Sequence, residues 1–416
     1  MNKKIKKAFD IALNLLKPSR KDLEHGLNLH QDSIVCDAYG FAPNSAVDSD
    51  VVRKVIEEGI SEIEIKDLLE EMAMTRFLYE KTEQKEFKEA FEAAGVTCIF
   101  QNAGAEGPSP LNLIKRFSYY SYVSDMIPDF INRAILPDDI EFTKEQKRHC
   151  LYLSLNDVPL MEHWNSVEEE LKYIQIFFQL GCRMMHLTYN RRNMIGDGCA
   201  ETSNSGLSDF GRTVIREMNR VGVIIDLAHS GWQTCLDAAQ VSKMPVVASH
   251  SACYSLNEHY RAKSDEVISA IADTEGYLGI CCIPAFLGGD GNINAFLDHI
   301  DYVVKNFGVD YVAIGTDVGY RSQNAEKEFK KIPKRHKTHC AWWNFWHTND
   351  PLFDSQWNQP QQCDSLAWTN WPLFTVGLIQ RGYSDSDIQK IIGGNVMRVA
   401  HAVLGKSCAK LYSKHK

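Results

Sequence analysis

Val223-Ile224-Ile225-Asp226-Leu227-Ala228-His229-Ser230 and Val246-Val247-Ala248-Ser249-His250-Ser251 decide the fold. Each is a short run, apolar on both faces, as a strand buried in a parallel sheet should be. Each ends on a histidine followed by serine. Similar runs recur on either side: Ser33 to Cys36, Val96 to Phe100, Leu151 to Leu155, Met184 to Leu187, Tyr277 to Ile283 and Tyr311 to Ile314, for eight predicted strands in all. The segments between them carry helical periodicity. Val167 to Leu180 is one, Leu207 to Arg220 another with Ser208 and Asp209 as N-cap candidates, and Phe296 to Phe307 a third, stopped by Gly308. Alternating units of this number predict a (β/α)8 TIM barrel. A doubly wound sheet is the alternative. It would carry a glycine-rich phosphate loop after its first strand, and Asp37-Ala38-Tyr39-Gly40-Phe41 is not one.

A chain of 416 residues is long for one domain but within the range of barrels with insertions. We expect a single domain over 1–416, with an N-terminal helical extension (1–30) and insertions at about 48–94 and 319–362. The second insertion follows strand eight and so stands at the C-terminal mouth. Trp342, Trp343, Trp346, Trp357, Trp368 and Trp371 lie in or just beyond it, six of the eight tryptophans. A lid, a dimer interface and plain packing all remain open for it. The net charge of −9 speaks against nucleic acid and anionic membrane surfaces as partners. There is no run of about 18 apolar residues, so no membrane span is predicted. Met1 to Arg20 reads as an amphipathic surface helix, because Asp10 and Asn14 interrupt its apolar stretch and no small-residue cleavage site follows. Of the twelve cysteines, Cys36, Cys98, Cys281 and Cys282 sit inside apolar runs, and no Cys-x-x-Cys pair occurs. Reduced thiols and a cytoplasmic location are expected.

In such barrels the active site gathers at the C-terminal strand ends. That rule selects Tyr39, Gln101, Asn156, Tyr189, His229, His250 and Asp317. Adjacent strand ends lie about 5 Å apart, so His229 and His250 can share one metal ion. Asp317 closes Ile314-Gly315-Thr316-Asp317 across the mouth, where a carboxylate can take a proton from water or hold the metal itself. The plainer alternatives are hydrogen-bonded core histidines and a helix-capping aspartate.

The sequence also resembles the membrane (renal) dipeptidase family of zinc hydrolases, a branch of the amidohydrolase superfamily. The resemblance rests on Leu187-Thr188-Tyr189-Asn190 with Asn193 and Gly196-Asp197-Gly198, on Gly206-Leu207-Ser208, Gly211 and Glu217-Met218-Asn219-Arg220. It continues through Ile225 to His229, Ser249-His250-Ser251, Arg261, Gly315-Thr316-Asp317, Arg381 to Ser384 and Ile391 to Arg398. It implies a barrel that holds two zinc ions and hydrolyses dipeptides. In the family a His-x-Asp pair after strand one and a bridging Glu after strand three bind metal. Histidines after strands five and six, here His229 and His250, bind the second ion. An Asp after strand eight, here Asp317, is the acid or base, and an Arg after strand six, here Arg261, grips a carboxylate. The pattern is broken at the other positions. Tyr39 and Phe41 stand for the His-x-Asp pair, Asn156 (or Asp157, with a slip of one) for the Glu, and Tyr189 for a further histidine. We therefore expect at most one zinc ion per chain. Tyr39, Asn156, Tyr189 and Arg261 are the candidate substrate contacts. Two functions follow: a hydrolase of a small amide or dipeptide-like substrate bearing a carboxylate, or a catalytically inactive homologue that binds or builds. A homodimer is compatible with either.

Overall fold

The computed structural model describes residues 2–104, 109–162, 166–333 and 345–413. Each predicted run meets a strand, although the first, Ser33 to Cys36, shares only Cys36 with it. The strands are β1 (Cys36–Asn44), β2 (Cys98–Asn102), β3 (His149–Leu155), β4 (Cys182–His186), β5 (Ile224–Asp226), β6 (Val246–Ser251), β7 (Tyr277–Ile280) and β8 (Val312–Ile314). Each pairs in parallel with the next, in chain order. Such an order requires a helix to cross back after each strand, and it curls the sheet into the barrel the sequence predicts. The helix Asp209–Val221 illustrates the local logic: Ser208 caps its first turn by accepting from Gly211 N, and Gly222 ends it at φ 98°.

The seam between β8 and β1 is closed mainly by one side chain. The Asp37 carboxylate accepts from Thr316 N at 2.8 Å, from Thr316 Oγ1 at 2.6 Å and from Trp368 Nε1 at 3.1 Å. Beside it Asp317 N donates to Tyr39 O at 3.0 Å. Inside the barrel, Ala38, Phe100, Tyr152, Met184, Val247 and Tyr277 pack with Val396, Val399 and Val403 of the C-terminal helix Asn395–Ser413. That helix plugs one end and leaves the strand C-termini as the open end.

The N-terminal extension forms two helices, Lys3–Leu16 and Arg20–Asp32. The first buries Ile5, Ala8 and Ala12 on one face, as an amphipathic helix should. Three α-helices fall within the expected first insertion. Ser49–Glu57 and Glu62–Thr75 are the added helices, whereas Lys81–Ala94 buries Phe87, Ala90, Phe91 and Ala94 as a regular barrel helix. Two short strands were not foreseen. Ile131–Arg133 pairs with β3, and Gly319–Arg321 pairs with β1. Among the described side chains nine cysteines are buried and free, and Cys363 is exposed. No described helix is long and apolar enough to cross a membrane.

Candidate active site

A cavity of about 640 Å³ opens at the strand C-termini, and Tyr39, Asn156, Tyr189, His229 and Asp317 line it. His250 lies just beneath, covered by the Tyr39 ring, which stacks on it at 3.8 Å between centres. Tyr39 donates its hydroxyl to Asn156 Oδ1 at 2.6 Å, and Tyr189 stacks on His229 at 4.3 Å. Asn156, rather than Asp157, is thus the residue that faces the cavity from the end of β3. Gln101 does not reach it in a catalytic sense: its amide is spent on Ala42 N, Asn102 O and Tyr120 Oη. Trp346 of the second insertion lines the cavity and stacks on Phe286. Trp342 and Trp343 lie outside the described residues. Trp368 and Trp371 are core residues away from that wall.

Arg261 is fully buried and is not among the lining residues. One terminal nitrogen donates to Ala228 O, and the other to His250 O at 3.2 Å. The guanidinium therefore ties together the two turns that carry the histidines. The resemblance implies a direct grip on a substrate carboxylate; in this placement the guanidinium bonds the histidine turns. The cavity offers two other cations. Arg116 is paired with Glu70 of the added helix Glu62–Thr75. Arg321, from the short strand beside β1, is exposed and lines the cavity, and among the described residues no carboxylate is paired with it. Sequence reading missed both because Arg116 lies in the helix Pro110–Met126 after β2 and Arg321 in the second insertion, where no strand-end rule selects them.

Proton bookkeeping around the histidines is informative. His229 Nδ1 sits 2.7 Å from Asn190 Oδ1, which also takes the Cys199 thiol, so the ring must donate there. Asp226 only accepts, so Ser249 Oγ–H is committed to it, and Ser249 Oγ in turn accepts from His250 Nδ1 at 2.8 Å. Both rings are neutral. Burial first, and then the Arg261 charge, hold them well below the usual histidine range. A neutral ring has one N–H, so both Nε2 atoms carry lone pairs, and they face each other at 2.9 Å. Facing lone pairs need a shared proton or a cation, and imidazole suits zinc. One ion fits this pair. The family's second ion does not fit, because Phe41 has no donor atom and Tyr39 and Asn156 are bonded to each other.

Asp317 faces the same cavity. Burial pushes its carboxyl up to about 7, with the Arg261 charge pulling the other way. A group poised there can take a proton from water or return one near neutral pH.

Residues 44–334 match the family described as membrane dipeptidase (Peptidase family M19). Dipeptidase tcpJ of Claviceps purpurea (strain 20.1) is 28% identical over 235 residues, 55% of this chain and 47% of the relative. Dipeptidase verJ of Clonostachys rogersoniana is 28% identical over 229 residues, 54% of this chain and 50% of the relative. The chain thus spans about half the length of these curated relatives. An amidohydrolase from Pseudomonas aeruginosa superposes with a TM-score of 0.65 at 26% identity, over 91% of this chain and 99% of that one. A metallo peptidase from Rhodobacter sphaeroides, liganded with a phosphinate mimic of the dipeptide L-Ala-D-Ala, shares the fold with a TM-score of 0.61 at 14% identity, over 89% and 99%.

Proposed function

Because the chain belongs to the membrane dipeptidase family, we propose that it is a hydrolase of a small amide or dipeptide-like substrate that bears a carboxylate. The observation that carries this reading is convergence. A neutral imidazole pair whose Nε2 atoms face each other and a carboxyl held near 7 meet at one cavity. His229 and His250 would hold at most one zinc ion, which supplies Lewis-acid polarisation of the scissile carbonyl. Asp317 takes the proton of the attacking water and returns it to the leaving amine. Tyr39 and Asn156 fix the floor of the site, Tyr189 and Trp346 shape its walls, and Arg261 keeps the histidine turns in register. Arg321 is the cation presented to the substrate carboxylate, since it lines the cavity and no carboxylate among the described residues is paired with it.

The test is calorimetry and turnover with dipeptides and their C-terminal amides. The acids are expected to bind better than the amides. Arg321→Ala should remove that preference, about fivefold for an exposed ion pair. Equal binding of acids and amides by wild type would remove the carboxylate from the reading. One observation favours a binding protein instead: Tyr39 stacks on His250 and closes on Asn156, filling space beside the imidazoles. Tight binding with no turnover in zinc-loaded protein would select it.

A further inference from the structure

His186 ends β4, directly across the ladder from Asp226 on β5. No strand-end signal selected it, because it closes an apolar run and reads as core. Its side chain is fully buried. Nε2 is paired with Asp226 Oδ2 at 2.6 Å, which leaves Nδ1 as the nitrogen without a partner among the described residues. Leaving a buried polar group unsatisfied costs about 1–3 kcal/mol, so such a group asks for something to bind. Asp226 itself is pinned: its Oδ1 accepts from Ala228 N and Ser249 N, each at 3.0 Å. His186, Asp226 and His250 each offer a ligand atom, all within 4.8 Å of one another. The ring centre of His186 lies 5.2 Å from that of His229 and 5.3 Å from that of His250, and those two are 5.0 Å apart. With metal–nitrogen bonds near 2 Å, three imidazoles sharing one ion place their ring centres about 5 Å apart.

We propose that His186 and Asp226 join His250 as the core of this chain's metal seat, with His229 at its edge, where its Nε2 faces that of His250 at 2.9 Å. This rests on the reading that the chain holds one ion, and names the residues that replace the ligands lost at Tyr39, Phe41 and Asn156. The Arg261 guanidinium, whose Nη2 is 3.4 Å from His229 Nε2, makes a carboxylate necessary there. Three imidazoles and one carboxylate select a borderline first-row cation such as zinc or cobalt(II) over magnesium or calcium.

The experiment uses the full chain stripped with chelator and titrated with Co²⁺ and with Zn²⁺. Binding is followed by the visible absorption of tetrahedral Co²⁺, by elemental analysis and by the rise in Tm. Wild type should take one equivalent and gain stability. His186→Gln should lose tenfold or more in affinity and most of the Tm gain. His186→Cys, which keeps a ligand atom, should restore binding with a sulfur-to-cobalt charge-transfer band, and it guards against misfolding of the glutamine variant. Wild-type affinity in His186→Gln, with binding lost in His229→Gln, overturns the assignment of His186 and leaves the one-ion reading standing. Wild type that takes up neither metal overturns both.

Discussion

At the scale of single residues, Asp317 carries the sharpest expectation. It sits at φ 56°, in the left-handed region that aspartate tolerates better than most side chains, and this turn aims it into the cavity. Its carboxyl is raised to about 7, so it is protonated below that value and able to accept a proton only above it. If it is the base, kcat/KM should climb as pH rises through about 7. Asp317→Asn should lose turnover by a factor of 100 or more, the usual contribution of a positioned acid or base, while circular dichroism stays unchanged. A flat pH profile in this window would assign the proton transfer elsewhere. The gathering of His229, His250, Asp317, Tyr39 and Asn156 at one mouth was legible because each ends or follows one of the apolar runs. His186 was not, although it too ends a strand. Nothing in Met184-Met185-His186-Leu187 separates a ligand from a buried histidine until its unpartnered Nδ1 is seen.

At the scale of elements, the mouth depends on strands that approach too closely for side chains. A Cβ built on Gly315 would lie 1.9 Å from Ser249 O, and one on Gly279 would lie 1.8 Å from the same atom. That carbonyl belongs to the backbone of β6, next to His250, and cannot swing away as a side-chain tip would. Gly315→Ala should therefore cost about 3 kcal/mol or more, read as a lower urea midpoint. It should also weaken binding at the cavity by moving β6. An unchanged midpoint would mean that the strands have slack. Runs of apolar residues revealed all eight strands, because burial on both faces leaves a plain signature. The short strand Gly319–Arg321 left none. It is three residues long, with only Tyr320 buried, and it is defined by pairing with Phe41 and Asn44 rather than by its own composition.

At the scale of the whole molecule, the second N-terminal helix is docked through a buried histidine. His30 Nε2 donates to Ala94 O at 2.9 Å, so its Nδ1 accepts from Thr375 Oγ1 at 2.8 Å, and the ring is neutral. Burial pushes its pKa down to about 4, below the ordinary value of about 6.5 it regains on unfolding. The unfolded chain then binds the proton more readily. The stability this residue contributes is complete above about pH 6.5 and drains away as pH falls toward 4, by about 3 kcal/mol. His30→Gln should flatten that part of the acid limb in urea titrations made between pH 7 and pH 4. An equally steep limb would place the acid sensitivity at another buried group, such as His149.

The Asp37 seam also has a consequence for synthesis. The carboxylate's partners Thr316 and Trp368 lie 279 and 331 residues downstream. At about 5–20 residues per second, roughly 20 to 60 s separate the translation of Asp37 from that of Trp368. Throughout that interval β1 is an open edge on the nascent chain, bare on the side where β8 will dock. The ring can close only after Trp368 has been made, so β1, the earliest of the eight strands, is the last of them to be enclosed.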